Sequence, residues 1–414
     1  MVTIKRLLKK MLGQYNASII AKTACIIPNC FCALFPMRDE ILLESNPDFS
    51  CNTYELYRYF LKANLNKKYK LVWRVRKPEI YSDNSPENVY YISKYPVGVI
   101  NRIKHYIRCN RAKVSISCNM NLPKYKVAKK QLNIYLDHGS QLKSMRSKDG
   151  QKAPLNCDYL ISQSKFFVPY HLQEYSIREE QIICTGLPRD DQFFRENTSI
   201  RKLISDVDSF KKVIIWTPTF RVHKNGYRVD CNTEYPFGLP FIFEKKDIEA
   251  LARCLEAEKV LLIIKPHPVQ DVSNLKKIGT PNIRVISSEA LSQLDIQINE
   301  LLSQTDAMIT DYSSIYYDYL FTENPIALTL DDMQQYKDSK GFVFDNPLDV
   351  LKGDLLYSLE DLCVFIKNVS LGIDPLLDSR RKLQREINDY NDGNSSERVY
   401  NFLMSKLNMK GRTR

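Results

Sequence analysis

From residue 40 onward, short apolar runs alternate with longer segments whose apolar residues recur at helical spacing. Glu40–Glu44, Lys70–Val75, Val89–Ile92, Lys113–Ser117, Leu132–Leu136, Tyr159–Ser162 and Gln181–Cys184 predict strands. Between them, Asn52–Asn64 carries the stripe Tyr54, Leu56, Tyr57, Phe60 and Leu61, and Val97–Cys109 also reads as a helix. A charged stretch, Arg195–Lys212, precedes a second series with the same rhythm. Its strands are Val213–Trp216, Val260–Ile264, Ile283–Ile286, Ala307–Thr310 and Pro325–Leu328, with helices at Lys246–Ala257 and Ile298–Gln304. Strands separated by helices imply parallel βαβ units. A long helix, Leu377–Tyr390, follows, and Ser395 and Ser396 are expected to cap a last one, Glu397–Lys406.

The 414 residues exceed what one ordinary core holds. The expected fold is α/β, with two doubly wound Rossmann-type domains facing a central cleft. Residues 37–205 form the first, 206–375 the second and 376–414 the terminal helices, behind a basic segment over 1–36. In that segment Lys5, Arg6, Lys9 and Lys10 interleave with Ile4, Leu7, Leu8, Met11 and Leu12. This is a basic amphipathic helix suited to an anionic membrane surface, or else an ordinary surface helix. The run Ala17–Pro36 is too interrupted by Lys22, Pro28 and Asn29 to span a bilayer.

Composition is globular, and the net charge of +12 calls for an acidic partner, whether nucleic acid, anionic lipid or a phosphorylated substrate, unless the basic surface serves only solubility. No RNA- or DNA-recognition motif accompanies that charge, which argues against nucleic acid. Eleven cysteines without a CxxC pair predict reduced, mostly buried thiols in a cytosolic protein and no structural zinc.

Candidate chemistry concentrates at strand ends, where open α/β sheets bind ligands. After Ala307–Thr310 comes an abrupt polar turn, Asp311–Ser314, opening an aromatic helix that ends at Asn324-Pro325. Two serines at a helix start offer hydroxyls and free N–H donors to an anion. Val260–Ile264 closes on Lys265-Pro266-His267-Pro268, and Val213–Trp216 on Thr217-Pro218-Thr219-Phe220-Arg221, where an arginine can grip a phosphate. In the first half, His138-Gly139-Ser140 follows a strand and presents an imidazole suited to general base work, although a turn histidine bonded to a carbonyl fits the bare dipeptide as well. Thr185–Asp191, with Arg189 and Asp190, is by itself only a turn with a basic residue. His105, His171 and His223 lack comparable settings.

Together, WTPTFR (216–221), KPHP (265–268) and TDYSSIYYDYLFTENP (310–325) resemble the CDP-glycerol glycerophosphotransferase family, the teichoic acid primases and polymerases, which also occur in capsule synthesis. GLPRDD (186–191), DHGS (137–140), ESNPDFSCNTYELYRYF (44–60) and DGNSSERVYNFL (392–403) extend the resemblance over nearly the whole chain. It implies a GT-B fold, peripheral attachment to the cytoplasmic face of the membrane, and transfer of a polyol phosphate from a CDP-activated donor to a lipid-linked acceptor. It implies His138 as catalytic base and His267 at the reacting phosphates. Arg221, Lys265, Thr310, Asp311, Ser313 and Ser314 fall on the donor side, with Asp318 at donor hydroxyls or base. Gly139, Ser140, Arg189 and Asp190 fall on the acceptor side or cleft. No tightly bound cofactor or metal is expected, beyond Mg2+ travelling with the donor diphosphate. Lys340-Gly341-Phe342 and Asn346-Pro347-Leu348 stand where the family often has Arg-Gly-Phe and Pro-Gly, which leaves the polyol open. Competing readings are a GT-B glycosyltransferase using a nucleotide sugar, a basic nucleic-acid-binding protein, and a membrane scaffold with a dead site.

Overall fold

The computed structural model describes residue 32 and residues 35–83, 85–119, 130–147, 149–219, 235–267, 274 and 280–411. The basic amphipathic helix expected near the N-terminus, and Arg221, lie outside the described residues.

Two parallel sheets organise the chain. The first contains β1 (Arg38–Glu44), β2 (Lys70–Val75), β3 (Val89–Ser93), β4 (Ala112–Ser117), β5 (Leu132–Tyr135), β6 (Tyr159–Ser162) and β7 (Ile182–Cys184), in the order β3-β2-β1-β4-β5-β6-β7. The second contains β8 (Lys212–Thr217), β9 (Val260–Ile264), β10 (Ile283–Val285), β11 (Ala307–Thr310), β12 (Ile326–Thr329) and β13 (Asp354–Leu356), in the order β10-β9-β8-β11-β12-β13. Each sheet reverses its winding once, between β1 and β4 and between β8 and β11. Those reversals open crevices at the carboxyl ends of the strands.

Strands covered on both faces read as unbroken apolar runs, because neither side can carry a polar residue to water. All five residues of β9 are accordingly buried. On opposite faces of the second sheet lie two cores. One centres on Ile215, Ile263, Met308 and the tyrosines 312, 316, 317 and 319; the other holds Ile214, Trp216, Leu262 and Ile309.

The terminal helices do not form a unit of their own. Helix Leu377–Ile387 sends Leu383 and Ile387 into the second lobe's core, whereas helix Ser395–Gly411 returns to the first lobe with Val399 and Leu403. Its start is held by Asp191, whose carboxylate accepts the backbone N–H groups of Ser395 and Ser396 at 2.8 Å each. This corrects the expected serine cap: an anion from the GLPRDD segment does the capping, and it ties that segment to the end of the chain.

The sequence reading missed helix Leu359–Leu371, although its boundary signals are present. Ser358 accepts the Asp361 N–H at 3.1 Å, and Gly372 closes the helix at φ 73°. The omission hid a contact. Cys363 on this helix is disulfide-bonded to Cys254 on helix Lys245–Glu258, with Cα atoms 5.8 Å apart, which corrects the expectation of wholly reduced thiols. Among the described residues, no helix is long and apolar enough to cross a membrane.

Candidate functional site

The first lobe builds its part of the site on adjacent strand ends. Asn52, in the first turn of helix Cys51–Lys62, is fully buried. Its Nδ2 donates to the carbonyls of Leu136 and Asp137 at 3.1 and 3.2 Å, and its Oδ1 accepts the Arg189 N–H at 3.0 Å. One amide therefore clamps the turn after β5 to the 3-10 segment Pro188–Phe194. In that turn Asp137 adopts a left-handed conformation (φ 57°) and accepts the His138 N–H at 2.7 Å, and His138 itself is exposed. Burial lifts the Asp137 carboxyl to about 6, against the pull of that N–H.

His138 Nδ1 faces the sulfur of Cys51 at 3.6 Å. A hydrogen bond from the Cys118 thiol, followed by the charges of Arg189 and His138, holds the Cys51 thiol well below its usual value despite burial. The Cys51 charge in turn is the main cause raising His138, against burial and Arg189. Cys51, Cys118 and His138 place their ligand atoms within 4.8 Å of one another, the one such grouping of metal-ligating side chains among the described residues.

Arg189 joins the lobes. Its guanidinium donates to the His138 carbonyl at 2.7 Å and to both carboxylate oxygens of Asp318 at 2.9 and 2.8 Å. Burial works against its charge, but Asp318 and Cys51 keep it firmly protonated. Gly139 lies in the same seam at φ 138°; a Cβ there would sit 2.6 Å from Arg189 Nη2 and 2.8 Å from Ser314 Oγ. Only glycine fits where the first lobe's histidine turn touches the second lobe's serine pair. Ser140 and Asp190 are buried, and the Ser140 hydroxyl and both Asp190 carboxylate oxygens lack a hydrogen-bond partner among the described residues. Burial and the neighbouring Asp318 push the Asp190 carboxyl well above its usual value.

In the second lobe, Asp311 accepts the Thr219 N–H at 2.9 Å and the Thr219 hydroxyl at 2.5 Å, and the Thr217 hydroxyl donates to that of Thr310 at 3.1 Å. Lys265 extends β9, its N–H donating to the Trp216 carbonyl at 2.8 Å and its ammonium reaching Ser288 Oγ at 3.0 Å. Burial draws it down to about 8, with Glu289 opposing. His267 is exposed just beyond, and Ser313 and Ser314 are half-buried. The helix they open is short, Ile315–Tyr319 followed by a 3-10 turn, so the hydroxyls and local N–H groups matter more there than a macrodipole. The KGF segment closes the seam elsewhere: Phe342 bridges to Lys143, and the Gly341 carbonyl accepts the Ser144 N–H at 3.1 Å.

Residues 30–405 match the model of the CDP-Glycerol:Poly(glycerophosphate) glycerophosphotransferase family. The chain belongs to that family. Its relatives include the teichoic acid glycerol-phosphate primase of Bacillus subtilis (strain 168), 30% identical over 61% of this chain and 59% of the relative. The teichoic acid ribitol-phosphate polymerase TarL of Staphylococcus aureus (strain NCTC 8325 / PS 47) is 25% identical, covering 86% and 60%. The teichoic acid glycerol-phosphate transferase of the same strain is 23% identical, covering 88% and 92%. The chain thus spans from 42% to 60% of the length of the first three curated relatives it matches. The solved wall teichoic acid polymerase TagF shares the fold, with a TM-score of 0.69 at 18% identity over 94% of this chain and 95% of that one.

Within this glycerophosphotransferase-family fold, several residues expected at the ligand also have protein partners. Asp318, expected at donor hydroxyls or base, is buried and paired with Arg189 across the seam. Thr310 and Asp311 are buried and hydrogen-bonded to Thr217 and Thr219. Arg189 likewise serves as a tie between lobes. His171 is a core residue, its Nε2 3.0 Å from Ser162 Oγ and its pKa drawn down to about 3 by burial. Asn52, Cys51 and Cys118 were not singled out from sequence, because their partners lie far along the chain.

Proposed function

We propose that this protein transfers a polyol phosphate, glycerol phosphate above all, from a CDP-activated donor to a hydroxyl of a lipid-linked glycan or polyol-phosphate acceptor, in teichoic acid or capsule synthesis. The observation that supports the reading is the seam where Gly139, the residue after His138 in one lobe, lies against Ser314 of the other. His138 takes the acceptor's proton as the acceptor oxygen bonds to the donor's β-phosphorus. The bond from that phosphorus to the bridging oxygen breaks, and CMP leaves. Lys265, His267, Ser313, Ser314 and Arg221 meet the diphosphate charge, which is where fixed donors contribute most in phosphoryl transfer. Mg2+ accompanying the donor would be carried by the phosphates, since Asp311 and Asp318 already have protein partners.

Attachment to the inner membrane surface is supported by a second face. On and before helix Val99–Arg111, Tyr95, Val97, Val99, Ile100 and Ile103 are exposed, interleaved with Arg102 and Lys104. Apolar side chains flanked by cations match an anionic lipid surface, and sedimentation with anionic but not neutral vesicles checks this.

The deciding experiment scores nucleotide release and product mass with CDP-glycerol, CDP-ribitol and UDP-sugars, each with lipid-linked acceptors. CMP release from a CDP-polyol is expected, lowered about 10²- to 10⁴-fold in His138→Ala with donor affinity kept. Turnover of a UDP-sugar alone would replace the reading with a glycosyltransferase.

A further inference from the structure

We infer that Cys51, Cys118 and His138 form a three-ligand site for a soft divalent cation of the Zn2+ class, and that filling it switches the enzyme off. The inhibitory half rests on the transfer reading above; the site itself does not. The three side chains come from the carboxyl ends of neighbouring strands, since β1, β4 and β5 are adjacent and lead into Cys51, Cys118 and His138. A site framed by strand ends is pre-positioned, which lowers the cost of gathering ligands.

The spacing suits the ion. Zinc bonds of about 2.3 Å to sulfur and about 2.0–2.1 Å to nitrogen, set tetrahedrally, separate S from N by about 3.6 Å and S from S by about 3.8 Å. The Cys51 sulfur lies 3.6 Å from His138 Nδ1, and no pair in the trio exceeds 4.8 Å. Two sulfurs and an imidazole select Zn2+ over Mg2+, and three protein ligands leave a fourth position for water. Access is available because His138 is exposed and Cys51 half-buried, while Cys118 forms the floor. The nearby positive charge is offset: Arg189, 3.5 Å from the Cys51 sulfur, is paired with Asp318.

Binding replaces whatever protons remain on the two sulfurs by metal–sulfur bonds, so no electrons move. Coordination through Nδ1 leaves His138 with its proton on Nε2, and an imidazole in that state has no lone pair for the acceptor hydroxyl. Occupancy therefore removes the base without touching the donor pocket.

The test uses the full chain with the Cys254–Cys363 disulfide intact and Co2+ as the spectroscopic probe. One equivalent of Co2+ is expected to give a thiolate-to-cobalt charge-transfer band and the visible bands of a tetrahedral ion, displaced by Zn2+ and unaffected by Mg2+. Cys51→Ala and Cys118→Ala should lose the charge-transfer band in part or whole. Should a buried cysteine variant fail to fold, His138→Ala, at an exposed position, must still weaken Co2+ binding by more than the about 10- to 100-fold seen for outer-shell partners. A variant with Cys25, Cys30 and Cys32 changed to Ser should keep the band. Zn2+ should abolish CMP release, and a chelator should restore it. A missing band, or one surviving in both Cys118→Ala and His138→Ala, overturns the site; a band without inhibition overturns the switch. A chain that binds Co2+ as described yet never releases CMP would instead sink the transfer reading alone.

Discussion

Asn52→Ala tests whether the base is held in place by one buried amide. The substitution deletes the donor shared by the Leu136 and Asp137 carbonyls and the acceptor of the Arg189 N–H, all out of reach of bulk water. Leaving a buried donor or acceptor unpaired costs about 1–3 kcal/mol, so stranding the two carbonyls and the Arg189 N–H together destabilises this corner by about 3–9 kcal/mol. The corner relaxes by letting the Asp137–Gly139 turn drift from the Arg189 segment, which carries His138 away from Ser314. A misplacement of about 1 Å costs about 10²-fold in rate. Steady-state CMP release should therefore show kcat down by about that factor, with the donor KM kept because the diphosphate sits on the other lobe. Asn52→Asp, which keeps the acceptor for Arg189 but not the donor, should be impaired as well. A folded Asn52→Ala chain with unchanged kcat, or a defect confined to donor KM, would refute the clamp.

Other outcomes follow from the same geometry. Gly139→Ala places a Cβ 2.6 Å from Arg189 Nη2 in a positive-φ position, at about 1–3 kcal/mol of backbone strain, and should lose turnover while circular dichroism stays native. Normal turnover would show that the lobes need not touch there. Lys265 is charged below about 8 and neutral above it, so donor KM should rise as pH climbs through that value, and Lys265→Met should abolish the dependence. A donor KM flat across that range in the unaltered enzyme would remove Lys265 from the diphosphate. Breaking the Arg189–Asp318 tie with Asp318→Ala should cost about 3–5 kcal/mol, because it strands a buried guanidinium. In a double-mutant cycle with Arg189→Ala the losses should be far from additive, and additive losses would deny the coupling.

Sequence alone settled much of this protein. Strands covered on both faces read as mostly apolar runs, so Lys70–Val75, Tyr159–Ser162, Val260–Ile264 and Ala307–Thr310 were legible to the residue. Motifs at strand ends marked His138, Lys265, His267, Ser313 and Ser314 as candidates, since open α/β sheets bind ligands at the carboxyl ends of their strands. Local pattern carries no information about which distant side chain answers a buried charge. Nothing around Asp318 in the sequence pointed to Arg189, 129 residues away, as its partner. Asp311 turned inward to Thr219, Asp191 capped the last helix, and Cys254 met Cys363 across a helix that periodicity had not revealed. The trio of Cys51, Cys118 and His138 is the same lesson at the site itself. Parallel strand order, a product of long-range packing, is what brings three separated residues to one point.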